Sequence, residues 1–244
     1  MTSSETGDPA RKAAAEAALE RIEPGMTIGL GSGRAVWAVI DAMARRWPGG
    51  PPVRAALASR RTEERARLAG IEVVQLDGTV RLDLAIDGAD EVDPDLGLIK
   101  GGGAALLREK LVVAAAERFV AVAEESKRVQ RLGQTRPLPV EVVRFAWEDT
   151  RRRLAELVSP ADVRTGDAGE PVKVRTDDAG APLVTDEGHH LLDCALPAEG
   201  DLQALAAAIK ATVGVVEHGL FLTEATTVLL GRPDGGVDVL ERTP

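Results

Sequence analysis

The sequence predicts an α/β fold with a mostly parallel sheet, into which a small α+β unit is inserted late in the chain. Three observations predict it. Short apolar runs alternate with helical stretches through the first half of the chain. The 244 residues include three Trp, three Phe and no Tyr, so the core must be built from Ala, Val, Leu and Ile, which suits buried strands flanked by helices. Beyond Pro137 the pattern changes to charged helices and short strands separated by Asp/Gly turns.

Taken in order, Arg11 to Ile22 reads as a helix with Ala14, Ala18 and Ile22 on one face, closed by Pro24-Gly25. Met26 to Leu30 reads as a strand, Gly31-Ser32-Gly33 as a glycine turn, and Ala35 to Arg46 as a helix. Val53 to Ala58, Ile71 to Leu76 and Leu82 to Ile86 are further strands, with a helix at Thr62 to Ala69. Ala104 to Glu117 is a strongly apolar helix, followed by a strand at Phe119 to Ala123. Val140 to Val143, Glu148 to Leu157, Val172 to Arg175, Leu183-Val184, Leu191 to Ala195 and Asp201 to Thr212 give a β-α-β-β-β-α succession. Its outline suits an α+β insert over residues 133–212, leaving 1–132 and 213–244 to the main domain. Val228 to Leu230 and Val237 to Leu240 flank Arg232-Pro233-Asp234-Gly235-Gly236, a hairpin signal.

The formal net charge is −9. An acidic chain repels phosphate backbones, which argues against nucleic acid. A small anionic substrate remains compatible, because helix N-termini and a few local cations can hold it. One cysteine, Cys194, excludes an internal disulfide framework and fits a reducing compartment. No apolar run approaches the roughly 20 residues that span a bilayer, and the polar stretch Met1 to Pro9 has no signal-peptide character. The expectation is a soluble, cytoplasmic protein with no membrane partner.

Four features carry chemistry. The turn Gly29-Leu30-Gly31-Ser32-Gly33-Arg34 lets backbone N–H groups approach an anion. It is not a dinucleotide fingerprint, because Arg34 or Val36 stands at the third glycine position and Ala58-Ser59 ends the next strand where an acid is needed. The same glycines would also serve a tight turn without a ligand. Asp87-Gly88-Ala89-Asp90-Glu91-Val92-Asp93 places four carboxylates directly after an apolar strand, where ligands bind in open α/β sheets. A solvated acidic turn or a divalent metal site would look alike, but neither explains the cations that follow. Lys100-Gly101-Gly102-Gly103 joins a mobile point charge to a glycine run that ends at a helix N-terminus. Finally, Arg108-Glu109-Lys110 interrupt an apolar helix and span about 200° of its surface, so they cannot share one solvent stripe. Glu109 falls on the face of Leu106 and Val113. A carboxylate on an apolar helix face suits a general base, while a Glu–Arg pair at a packing edge is the competing reading. His189, His190, His218 and Cys194 form no grouping with metal-ligand spacing, and Cys194 has no paired base. No metal or cofactor is signalled.

Together these stretches resemble ribose-5-phosphate isomerase, type A: Asp87 to Asp93, Leu98 to Lys110, Ala123-Glu-Glu-Ser126-Lys127, Pro137 to Val142, and Val213 to Phe221. The resemblance implies a Rossmann-like mostly parallel sheet with helices on both faces and a small α+β, ferredoxin-like inserted domain. It implies interconversion of D-ribose 5-phosphate and D-ribulose 5-phosphate through an enediolate, without cofactor, by a homodimer or homotetramer. Carried over by motif, Glu109 is the base, Lys100 stabilises the enediolate, and Asp87 and Asp90 handle sugar hydroxyls and ring opening. Substrate binding falls to Ser32, Gly33, Arg34 and Ala35, to Asp87, Gly88, Ala89 and Asp90, to Lys100, Gly101, Gly102 and Gly103, and to Lys127. The phosphate loop departs from the family's usual Gly-Thr-Gly-Ser-Thr, reading Gly31-Ser32-Gly33-Arg34-Ala35, and the next loop reads Ala58-Ser59-Arg60-Arg61-Thr62. Arginine in place of hydroxyls suggests a bidentate phosphate grip. Isomerisation of a related sugar phosphate, a non-catalytic sugar-phosphate sensor, and deaminases or coenzyme A transferases of similar fold are the other readings. The sensor is disfavoured because base, lysine and both aspartates are all present.

Overall fold

Period-2 alternation along a four-residue strand, Thr27–Leu30, organises the first half of the molecule. Ile28 and Leu30 point to one face and join a core of Ala14, Ala18, Val36, Ile40, Leu84, Ile86 and Val122. Gly29 points to the other face. In the computed structural model, which describes residues 9–158 and 170–242, the elements follow one another as α1 (Pro9–Leu19), β1 (Thr27–Leu30), α2 (Gly33–Arg46), β2 (Arg54–Leu57), α3 (Arg60–Leu68), β3 (Glu72–Val73), β4 (Leu84–Gly88), β5 (Glu91–Val92), β6 (Leu98–Ile99), α4 (Leu106–Ala114), β7 (Phe119–Glu124), β8 (Leu138–Val142), α5 (Trp147–Val158), β9 (Val172–Val174), β10 (His190–Cys194), α6 (Leu202–Ala211), β11 (Val215–His218), β12 (Leu220–Phe221), β13 (Thr227–Gly231) and β14 (Val237–Glu241). The polar stretch before Pro9 lies outside the described residues.

Seven strands form one sheet in the order β14-β13-β7-β4-β1-β2-β3. Every pairing is parallel except the β13–β14 hairpin, as expected for an α/β fold. Helices α1 and α2 cover the Ile28 and Leu30 face. Helix α4 covers the other, and a Cβ on Gly29 would overlap Val112 of that helix. Gly29 therefore lets α4 lie close to the sheet. Gly231 does the same for α1, since a Cβ there would overlap the Ala10 carbonyl.

Contacts divide the chain into two units. One takes the chain up to Ala89, then Arg108–Arg128, then Thr223 onward. The other takes Asp90–Leu107 and Val129–Leu222, more than the 133–212 insert expected. Two pairings enlarge it. β11 lies beyond residue 212 yet pairs with β8, and β6 pairs with β5 on one side and β12 on the other, apart from the large sheet. The second unit's four-stranded sheet runs β11-β8-β10-β9 and is antiparallel throughout. With α5 and α6 between its strands this is the β-α-β-β-α-β ferredoxin-like arrangement. Leu138, Val140, Val142, Leu192 and Cys194 face the helices and pack with Leu154, Val158, Ala206 and Ile209.

Several boundaries differ from the sequence reading. α4 starts at Leu106 because Ala104 adopts a left-handed φ of 64°, which no helix accommodates. Leu183-Val184 is not a strand; Leu183 N–H donates to Arg175 O beside an isolated Thr176–Pro182 bridge. β3 has two residues rather than six.

Candidate active site

The carboxyl ends of β1, β2, β4 and β7 collect the expected residues of the first unit. β1 leads into Gly31-Ser32, β2 into Ser59-Arg60-Arg61, β4 ends on Asp87-Gly88, and β7 runs into a 3₁₀ turn at Glu125–Lys127 that carries Lys127. The chain leaves β1 toward β2 on one side and returns through β4 on the other. That reversal opens the crevice in which open α/β sheets bind ligands.

Alternation along β4 buries Leu84 and Ile86 in the core under α1 and α2 and turns Asp87 to the α4 face. Asp87 is 2% exposed. Its Oδ1 accepts from Ser32 N–H at 3.1 Å and from Gly88 N–H at 2.7 Å. The carboxylate lies flat on the β1–α2 turn, and a Cβ at Gly31 would occupy its position. Glu109, 3% exposed, arrives from α4, one turn before Val112. The Ser32 hydroxyl donates to its Oε1 at 2.5 Å. Ser32 is also the N-cap residue of α2, yet its side chain makes no capping bond. With the hydroxyl directed to Glu109, it does not cap the first N–H groups of α2. Gly33 supports this turn with φ +82°. Arg34 is exposed in the first turn of α2, and Ala35 sits against Gly88.

The second arginine loop is shaped differently. Ser59 caps α3 by accepting from Thr62 N–H at 3.2 Å. Arg61 stacks on the Trp37 ring with its guanidinium 4.3 Å from the centroid, so one face is already occupied. Arg60 is exposed at the start of α3.

In the second unit, Lys100 is 2% exposed and its ammonium lies 5.5 Å from the Phe221 ring centroid. Its backbone N–H donates to Gly219 O at 2.9 Å, and a Cβ at Gly219 would overlap the Lys100 carbonyl. Asp90 Oδ2 accepts from Gly102 N–H at 2.7 Å. Gly101 adopts φ +103°, which the glycine run makes accessible.

The four-carboxylate cluster separates by role. Glu91, fully buried, accepts from the N–H groups of Gly133 and Arg136 at 2.6 and 2.8 Å and from the Thr135 hydroxyl at 2.7 Å. Asp93 Oδ1 closes a turn by accepting from Asp95 and Gly97 N–H groups. These two hold loops; Asp87 and Asp90 address the glycine segments. Two of the histidines are likewise engaged within the fold. His189 Nδ1 and the Thr185 hydroxyl meet the buried Glu141 carboxylate at 2.9 Å each, and His190 Nδ1 meets Leu183 O at 2.9 Å. Among the described residues no group of three His, Cys, Asp or Glu could hold a metal ion, and no helix is long and apolar enough to cross a membrane. Nothing in the sequence pairs Ser32 with Glu109, 77 residues away, or marks Gly219 within Val213 to Phe221 as the contact of Lys100.

Residues 55–235 match the family model described as ribose 5-phosphate isomerase A (phosphoriboisomerase A). The ribose-5-phosphate isomerase A of Roseiflexus castenholzii is 49% identical over 231 residues, covering 94% of each chain. The solved ribose 5-phosphate isomerase of Plasmodium falciparum superposes with a TM-score of 0.86 at 32% identity, over 98% of this chain and 100% of the other. A D-ribose-5-phosphate isomerase solved in complex with phospho-erythronic acid gives 0.86 at 32% identity, over 95% and 97%.

Proposed function

The chain belongs to the ribose 5-phosphate isomerase A family, and from that premise we propose which of its residues carry the reaction. The enzyme interconverts D-ribose 5-phosphate and D-ribulose 5-phosphate through an enediolate. Glu109 is the base. It takes the C2 proton of the open-chain aldose and the electron pair moves toward the carbonyl oxygen O1, giving the enediolate; the hydroxyl proton of O2 passes to O1, and Glu109 returns a proton to C1 as the carbonyl forms at C2. The observation that carries this assignment is the meeting of Glu109 and Asp87 at Ser32: a buried carboxylate is aimed by a hydroxyl beside a second carboxylate. Burial keeps water from competing for the proton, and the Ser32 bond fixes which oxygen is presented.

Lys100 supplies the positive charge that offsets the developing oxyanion. Asp87 and Asp90 hold sugar hydroxyls and assist ring opening. The phosphate falls to the α2 N-terminus at Ser32 to Ala35, with Arg34 and Lys127 as cations. The same reading makes the enzyme a cytoplasmic homodimer or homotetramer, a state that sedimentation of the purified chain measures.

Incubating the protein with ribose 5-phosphate and following ribulose 5-phosphate, with Glu109→Gln alongside, tests the assignment. The variant should lose roughly 10²–10⁴-fold in kcat, the usual contribution of a general base. Absence of turnover by the wild type, or full activity in Glu109→Gln, overturns it.

A further inference from the structure

The sheet of the second unit has two faces, and alternation sorts β10 between them: Cys194 enters the helix-covered core while Asp193 points the other way. On that face Arg175, just past β9, meets Asp193 through two N–H groups, Nε at 3.0 Å and Nη2 in a short contact. A guanidinium gripped in this way still has Nη1 to spend. Nη1 donates to Gly101 O at 2.8 Å and toward Gly102 O at 3.3 Å, more than seventy residues away in sequence.

The consequence lies in the peptide that joins Gly101 to Gly102. In a trans peptide C=O and N–H point in opposite directions. Here the C=O is held by Arg175 and the N–H by Asp90 Oδ2 at 2.7 Å. One peptide plane is gripped from both sides, in a segment whose glycines would otherwise leave it the most freely rotating stretch of backbone. Lys100 stands one residue before that plane. Its own N–H is tied to Gly219 O, so the lysine's backbone is anchored on both sides, with only the Lys100–Gly101 peptide between the two anchors.

We infer that Arg175, anchored by Asp193, is a positioning residue that fixes the glycine loop carrying Lys100. This rests on the reading of Lys100 as the enediolate's counter-charge. Lysine could not substitute, because a single ammonium cannot hold both carboxylate oxygens and a carbonyl in one plane.

The test measures kcat, KM and Tm for Arg175→Lys and Asp193→Asn in the full chain, with Lys100→Ala as reference; Asp193→Asn alone serves should Arg175→Lys not fold. Both variants should lower kcat roughly 10- to 100-fold, the scale of a small misplacement of a catalytic group. KM should stay within about threefold and Tm within a few degrees, and the double variant should be no worse than the poorer single one. A purely structural pair would lower Tm and leave kcat per folded molecule alone. That result, or kcat within about twofold of wild type in both variants, overturns the inference. An inactive Lys100→Ala beside a normal Arg175→Lys removes the positioning role alone. A fully active Lys100→Ala removes the reading of Lys100 and this inference with it.

Discussion

Ser32 and Glu109 stand 77 residues apart in the chain, and the serine hydroxyl donates to Oε1 of the glutamate at 2.5 Å. A residue placed to cap a helix has been diverted to orient a buried carboxylate. Ser32→Ala removes that orienting bond and little else. Hydrogen bonds to charged groups contribute about 1.5–3 kcal/mol, so kcat should fall roughly 10- to 100-fold with a smaller change in Tm. Steady-state kinetics and a thermal melt decide it; unchanged kcat means Glu109 is aimed by packing alone.

Gly31→Ala should be more damaging than its size suggests. The added methyl would occupy the space of the Asp87 carboxylate. Because Gly31 is not in the left-handed region, backbone strain is not the issue. Either Asp87 or the β1–α2 turn must move, and about 100-fold of kcat should go with it. A crystal structure of the variant would locate the displaced carboxylate, and an active Gly31→Ala would show that Asp87 need not lie where it does.

Arg34→Ala separates binding from chemistry. The side chain is exposed beside the α2 N-terminus. As a phosphate ligand it should contribute to ground and transition state alike, so KM should rise about tenfold with kcat little altered. An unchanged KM returns the phosphate to backbone N–H groups and Lys127.

Glu91→Gln should behave as a stability variant. The fully buried carboxylate takes its bonds from Gly133, Thr135 and Arg136. An amide would set its NH₂ against these donors, at a cost of about 2–4 kcal/mol. Denaturant melts should register the loss while kcat per folded molecule holds; a fall in kcat at unchanged stability would return Glu91 to the active site.

Cys194 should be silent to thiol reagents in the native protein. Burial pushes its thiol pKa well up, with the Asp193 charge adding to the effect. The thiolate that reacts is therefore scarce at any working pH. Labelling with a disulfide reagent at pH 8 should proceed only as denaturant unfolds the chain, and rapid native labelling would mean the second unit's core opens.

The parallel sheet was legible because its strands are runs of aliphatic residues between glycine turns, and Glu109 because a charge interrupts an apolar helix face. The two-residue strands β5, β6 and β12 were not, since two residues show no periodicity. The start of α4 was misplaced because nothing in the residue Ala104 announces its positive φ. Glu91 and Asp93 looked like Asp87 and Asp90 for a related reason. A sequence displays charges, but which N–H groups they meet is settled by loops such as 133–136, brought in from over forty residues away. The family resemblance assigns Ser32 to the substrate, and its diversion to Glu109 depends on Gly29 admitting α4 to the sheet.

The close packing of α1 on β13, with Gly231 against Ala10, sets an order of events during synthesis. Translation at roughly 5–20 residues per second separates the two by on the order of 10 to 40 s. Throughout that interval α1 lacks one strand of its seat, and the parallel sheet lacks the strand that lies between β7 and β14. The second unit's β8–β11 sheet has by then been fully translated. Synthesis thus delivers every strand of the second unit's sheet before the sheet that holds Asp87 has all of its own.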